Sequence, residues 1–124
     1  MSTFPMDHSE VQFAELIWNS VPISINDLVK RSEATLGWKK STTHTVLKKL
    51  CSKGIFQTLK GIVTAHITRE EFFSIQSEQF IDEIFDSSLA AFLTAYTKRK
   101  SLTDAEIQDL KNIVSKYENS DIIH

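Results

Sequence analysis

Apolar residues recur along much of the chain at three- and four-residue steps, the spacing of a helix with one buried face. Asp7-His-Ser-Glu10 has the form of a helix start, a capping side chain followed by a glutamate three residues on. Behind it Phe13, Leu16 and Ile17 line one face and Trp18 widens it, until Pro22 closes the segment. Ser24 can cap a second helix with Ile25, Leu28 and Val29 inward, and Asp27 sits in the first turn, where the helix dipole favours an acid. A third helix is predicted from about Ser41 to Lys53, stopping at Gly54, which suits the left-handed position after a helix end.

The period then changes. Two short β-prone runs, 55–59 and 62–67, flank Lys60-Gly61 and predict a hairpin. Thr68-Arg-Glu-Glu71 restarts helix with a capping box, and Phe72, Phe73, Phe80, Ile81, Ile84 and Phe85 give it a broad apolar surface. A helix around 87–98 carries Leu89, Phe92, Leu93 and Tyr96. The last helix opens with the capping box Thr103-Asp-Ala-Glu106, and Leu102 and Ile107 can form a hydrophobic staple across it. Ile107, Leu110, Val114 and Tyr117 then form a narrow, coiled-coil-like stripe.

The order helix, helix, helix, hairpin, then three helices predicts a mainly α fold with a small β-hairpin wing. It divides into a winged helix-turn-helix over residues 1–68 and a three-helix region over 69–124. The last three helices lack partners for all their apolar faces within so short a chain, and a second copy of the chain would supply them.

Composition narrows the class. The 124 residues are 41% hydrophobic and 24% charged, values of an ordinary globular chain that exclude a disordered or collagen-like one. Cys51 is the single cysteine, so neither an intrachain disulfide nor a cysteine-based zinc site can form. The first residues lack the basic head and apolar run of a signal peptide, and no segment is long and apolar enough for a membrane span. A cytoplasmic location without membrane insertion is expected.

The formal net charge of −2 argues against a polyanionic partner until it is divided. Residues 1–68 hold eight Lys+Arg against five Asp+Glu, net +3, and residues 69–124 hold six against eleven, net −5. No carboxylate occurs in the 36 residues between Glu33 and Glu70, which contain Lys39, Lys40, Lys48, Lys49, Lys53, Lys60 and Arg69. At 100° per residue the third helix puts Val46, Leu47, Leu50 and Cys51 on one side. Ser41, Thr42, Thr45, Lys48, Lys49 and Ser52 fall on the other. Short hydroxyl side chains let a helix approach base edges, and lysines neutralise the flanking phosphates. A solvated helix face normally mixes signs, so the exclusion of acids favours DNA.

A protein-interaction module docking this basic face on an acidic partner is the competing reading. It would call for aromatic or arginine anchors, and the exposed face offers only Ser, Thr, Lys and His. Trp18 and Trp38 read as packing residues and Cys51 as a small hydrophobe. His8, His44, His66 and His124 are scattered without ligand spacing, and no catalytic constellation, phosphate loop, metal site or cofactor motif is present. Lys98-Arg99-Lys100 reads as an exposed helix end.

Glu10-x7-Trp18, followed by Trp38-x3-Thr42-x2-Thr45-x-Leu47-x2-Leu50-x2-Lys53-Gly54, resembles the BlaI/MecI penicillinase-repressor family. The likeness continues through Ser88-Leu89 and Leu102-Thr-Asp-Ala-Glu-Ile-Gln-Asp-Leu110 and covers essentially the whole chain. It implies a homodimeric repressor, with the winged helix on a palindromic operator and the C-terminal helices intertwined. In the penicillinase branch of that family, a sensor-linked protease cuts within the C-terminal helices and lifts repression. Thr42 takes the position of the family's base-contacting threonine. The residue before it, often Lys in the family, is Ser41, and the family's Asn-Phe cleavage position aligns with Ala95-Tyr96. The cysteine cluster of the copper-responsive branch is missing from the C-terminus.

These readings converge on a DNA-binding repressor rather than an enzyme. Ser41, Thr42 and Thr45 are expected at base edges, with Lys39, Lys40, Lys48, Lys49 and Lys60 on phosphates. Phe80, Ile84, Leu89, Phe92, Leu93, Ile107, Leu110 and Val114 are expected to form the dimer seam.

Overall fold

A computed structural model describes residues 6–119; His124 and the C-terminal end lie outside the described residues. The chain runs α1 (His8–Trp18), β1 (Ile23–Ser24), α2 (Ile25–Leu36), α3 (Lys40–Ser52), β2 (Phe56–Leu59), β3 (Ile62–Ala65), α4 (Arg69–Ile84), α5 (Leu89–Thr97) and α6 (Asp104–Glu118). The fold is mainly α with a small wing, as the periodicity predicts. Capping boxes open α1, α4 and α6 at Asp7/Glu10, Thr68/Glu71 and Thr103/Glu106, and Ser24 caps α2. In each box the glutamate accepts from the cap backbone N–H. The Glu71 and Glu106 carboxyls are held below their ordinary pKa first by these backbone hydrogen bonds and then by the cap hydroxyls.

One strand was not legible in the sequence. Ile23–Ser24 pairs antiparallel with β3, Ile23 opposite Val63 and Ser24 opposite Ile62, which gives a sheet of order β1-β3-β2. Two residues are too few for alternation to register. The hairpin itself turns on Lys60 and Gly61, at φ 52° and 77°. Positive φ at both central residues is what a type I′ turn demands, and its twist matches that of the flanking strands.

A single buried core joins the first three helices to the sheet: Phe13 and Ile17 from α1, Leu28 from α2, Leu47 and Leu50 from α3, with Ile23, Phe56 and Val63. Phe72 of α4 belongs to the same core. Trp18 stands over this junction, with ring centroids 5.2 Å from Phe56 and 5.6 Å from Phe72, and its indole N–H donates to the Ile67 carbonyl at 3.1 Å. Trp38 packs on Phe13 with centroids 4.8 Å apart. Both tryptophans are packing residues. The first turn of α4 is thus seated on the winged-helix core rather than beginning a separate one.

The remainder of the chain is different in kind. Neither α5 nor α6 contains a buried residue. Phe80, Phe85 and Phe92 form an edge-to-face cluster with centroids 5.5–6.1 Å apart, extended by Tyr96. Ile84 and Leu89, and Ile113, Val114 and Tyr117 of α6, are each more than half exposed.

Candidate nucleic-acid interface

The third helix owes its outward face to what its inner face packs against. Thr43, Leu47 and Leu50 are buried against the core, which turns Ser41, Thr42, Thr45, Lys48, Lys49 and Ser52 to solvent. The buried stripe lies slightly round from the expected one. Val46 and Cys51 are only half-buried at its margins, and Thr43 takes a fully buried place instead. The Cys51 thiol faces the Thr58 hydroxyl at 3.7 Å across the groove between α3 and the wing.

Among the helices of the described residues, α3 alone has an N-cap side chain that makes no hydrogen bond, and its first turn carries no acid. Lys39 and Lys40 stand at that end. First-turn N–H groups without a side-chain acceptor, flanked by two cations, form an electropositive end suited to an anion. Lys39, Lys40, Lys48 and Lys60 are all exposed and make no ion pair among the described residues.

Lys49 is placed differently. Its ammonium donates to Glu10 Oε2 at 2.6 Å, and the Glu10 side chain is only 8% exposed. Burial opposes the charge of Glu10, but the Lys49 hydrogen bond and the Asp7 backbone N–H outweigh it, so the carboxyl titrates below its ordinary value. The same hydrogen bond holds the Lys49 ammonium above its usual range. Lys49 therefore belongs first to the α1–α3 contact, a long-range pairing that spacing along the chain cannot reveal.

The residues expected at a seam between copies fall in two groups. Phe80, Phe92, Leu93 and Leu110 are half-buried, and Ile84, Leu89, Ile107 and Val114 are exposed. Leu93 and Leu110 share a groove between α5 and α6 with Phe92, Tyr96 and Leu102. Ala95 and Tyr96 are exposed near the C-terminal end of α5. Among the described residues no His/Cys/Asp/Glu group is arranged to hold a metal ion, and no helix is long and apolar enough to cross a membrane.

Three helices packed on a three-stranded sheet, a two-residue wing turn and a basic third helix make this a mainly α fold with a small β-hairpin wing. The chain belongs to the penicillinase repressor family, whose profile matches residues 7–116. It is similar to the penicillinase repressor of Bacillus licheniformis, at 23% identity over 90% of both chains. It is similar also to the methicillin resistance regulatory proteins MecI of Staphylococcus aureus strain Mu50 and of Mammaliicoccus sciuri. These are 22% and 21% identical to it, over 92% of this chain and 96% of each relative. Membership of a repressor family makes the chain a regulator and not an enzyme.

Proposed function

We propose that the protein is a cytoplasmic, sequence-specific transcriptional repressor that binds double-stranded DNA as a homodimer on a palindromic operator. The observation that carries this reading is the outward face of α3, hydroxyls and lysines inside a 36-residue stretch without a carboxylate. Ser41, Thr42 and Thr45 meet base edges in the major groove. Lys39, Lys40, Lys48 and Lys60 neutralise phosphates, and Lys49 does so only to the extent that Glu10 releases it.

Repression follows from occupancy of a promoter, with no chemistry on the DNA. Two copies place their α3 helices on half-sites about one helical turn apart, roughly 34–36 Å. The winged-helix unit of residues 1–68 binds, and residues 69–124 dimerise. The exposed apolar residues of α5 and α6 support the second copy, because a chain that leaves two helices without a buried residue gains by covering them. Relief by a sensor-linked protease cutting in α5 near Ala95 and Tyr96 would detach Phe92 and Leu93 from α6 and so undo the seam.

The test is selection of bound duplexes from a random pool, followed by titration of the enriched duplex across salt concentrations. A steep negative log–log slope and an inverted-repeat site are expected. A wild type that shows no slope, or a monomeric mass in sedimentation at micromolar concentration, overturns the reading.

A further inference from the structure

Helix α4 is one uninterrupted rod from Arg69 to Ile84, and its two ends have different neighbours. Phe72 near its start is buried in the core of the first three helices, while Phe80 towards its far end meets Phe85 and Phe92. The seat of α4 on that core is lopsided. On one flank of Phe72, Arg69 Nε donates to Glu15 Oε1 of α1 at 2.5 Å, and the same guanidinium lies over the Phe73 ring, 4.9 Å from its centroid. Phe73 packs in turn on Trp18, with centroids 6.1 Å apart. About a quarter-turn round the helix, the other flank is open. There a groove of about 470 Å³ runs between Phe72, Ile75 and Gln76 of α4 and Gly54, Ile55 and Ile67.

The groove leaves α4 room to lean, and the Glu15–Arg69–Phe73 clamp opposes that lean from the closed flank. The leverage is large. At 16 residues α4 is about 24 Å long, so a lean of about 10° carries its far end about 4 Å, more than the roughly 3.4 Å rise of one base pair. Both partners of the ion pair are partly exposed, so it contributes little to stability, and what it controls is direction. We propose that Arg69 is a positioning residue for operator binding. Held by Glu15 and stacked on Phe73, it sets the angle at which α4 joins the core bearing α3 to the dimer-forming helices, and so the half-site spacing that two copies accept. This rests on the reading of a homodimer on a palindrome and adds to it what makes one spacing preferred. Without the clamp α4 takes a range of leans, the two α3 helices a range of separations, and operators one base pair longer or shorter are bound more nearly alike.

The test uses the full-length protein and the duplex enriched by the wild type, read by fluorescence anisotropy across salt. Beside it stand the same duplex with one base pair inserted or removed between the half-sites, and a single half-site. The wild type is expected to prefer the enriched spacing, and Arg69→Gln to reduce that preference about fivefold, the equivalent of one exposed ion pair. Glu15→Gln should do the same; it leaves α4 untouched and keeps the test open should Arg69→Gln lose its fold. Affinity for the single half-site, its salt slope and the dimeric mass in sedimentation should not change. A wild type indifferent to spacing, or a preference that survives in both variants, overturns the assignment. So does a half-site salt slope lowered by about 1 in Arg69→Gln, which would make Arg69 a phosphate contact, or equal weakening of half-site and full duplexes, which would make the pair merely structural. In each of these cases the DNA-bound dimer itself stands. A wild type that is monomeric or binds without a salt slope removes that reading and the positioning role together.

Discussion

Lys49 on α3 and Glu10 on α1 are joined by a 2.6 Å hydrogen bond between residues 39 positions apart, one half-exposed and the other nearly buried. The pair fixes how the helix that presents Ser41, Thr42 and Thr45 leans on the core. Asp7 reinforces it: its backbone N–H donates to Glu10 Oε1 at 2.9 Å, so the carboxylate that receives the lysine also closes the capping box of α1. Removing Lys49 leaves a buried carboxylate without its cation, whereas Glu10→Gln removes the charge and keeps most of the shape. Lys49→Met is therefore expected to lower the thermal midpoint more than Glu10→Gln. The latter should cost about 1 kcal/mol or less once solvent screening at Lys49 is allowed for. Equal losses in thermal unfolding would contradict this order.

The pair also sets an acid limit. Glu10 has a folded-state pKa below its unfolded value, so its contribution to stability is present above the ordinary carboxylate pKa near 4.5. That contribution disappears as pH falls through the lower folded value. Chemical denaturation of the wild type between pH 6 and pH 3 should show a decline that Glu10→Gln makes shallower, and parallel curves for the two proteins would exclude the clamp as its source.

Within α3 the structure separates lysines that look alike in sequence. Lys48 makes no ion pair among the described residues, and Lys49 is engaged with Glu10. Lys48→Ala should weaken binding to all duplexes and reduce the log–log salt slope by about 1, and Lys49→Ala should reduce it by less. Thr42→Ala should leave the slope alone and flatten discrimination between enriched and scrambled duplexes by about 1–3 kcal/mol. Anisotropy titrations at several salt concentrations measure both quantities.

How far these distinctions were legible in the sequence follows from the range of the interactions. The capping boxes at Asp7, Thr68 and Thr103, the stop at Gly54 and the turn at Lys60-Gly61 are local, set by residues within four positions of one another, and the periodicity gives them nearly to the residue. The outward set on α3 was equally legible, because a 100° step fixes which side chains oppose Leu47 and Leu50. Three features were not. Strand β1 depends on a partner about 40 residues away, the Lys49–Glu10 pair on the docking of α1, and the burial of Thr43 on the angle at which α3 meets the core.

Lys60 occupies a left-handed position, at φ 52°, where Asn or Gly is the conformationally favoured choice. A lysine there is retained at some expense to the hairpin. Lys60→Asn should raise stability by up to about 1 kcal/mol and at the same time weaken DNA binding and lower the salt slope by about 1. Stability and affinity moving in the same direction would argue against a phosphate contact at the wing.

Ser32 and Thr43, both fully buried, carry hydroxyls with no hydrogen-bond partner among the described residues. An unsatisfied buried hydroxyl is destabilising relative to an apolar group of similar shape, typically by about 1–3 kcal/mol. Ser32→Ala and Thr43→Val should each be neutral or stabilising by about 1 kcal/mol in urea unfolding. A marked loss for either would mean that its hydroxyl finds a partner in solution.

The apolar residues of α5 and α6 supply the last prediction. Leu93 and Leu110 line the same groove, half-buried within one chain, while Ile107 and Val114 on the same helix as Leu110 lie open. If a second copy covers this surface, a charge at Leu110 must either enter a desolvated seam or prevent it from closing, and an unpaired buried charge is strongly unfavourable. Leu110→Glu should therefore give monomers at micromolar concentration in sedimentation and weaken operator binding at least as much as loss of one half-site. The winged-helix core, held by Phe13, Ile17, Leu28 and Leu50, lies outside that surface and should keep its unfolding transition. Isolated half-site binding by the variant should survive with its salt slope reduced, because one copy then meets the phosphates that two met before. A Leu110→Glu protein that remains dimeric and binds the full operator normally would show that the exposed stripe of α6 is not the seam.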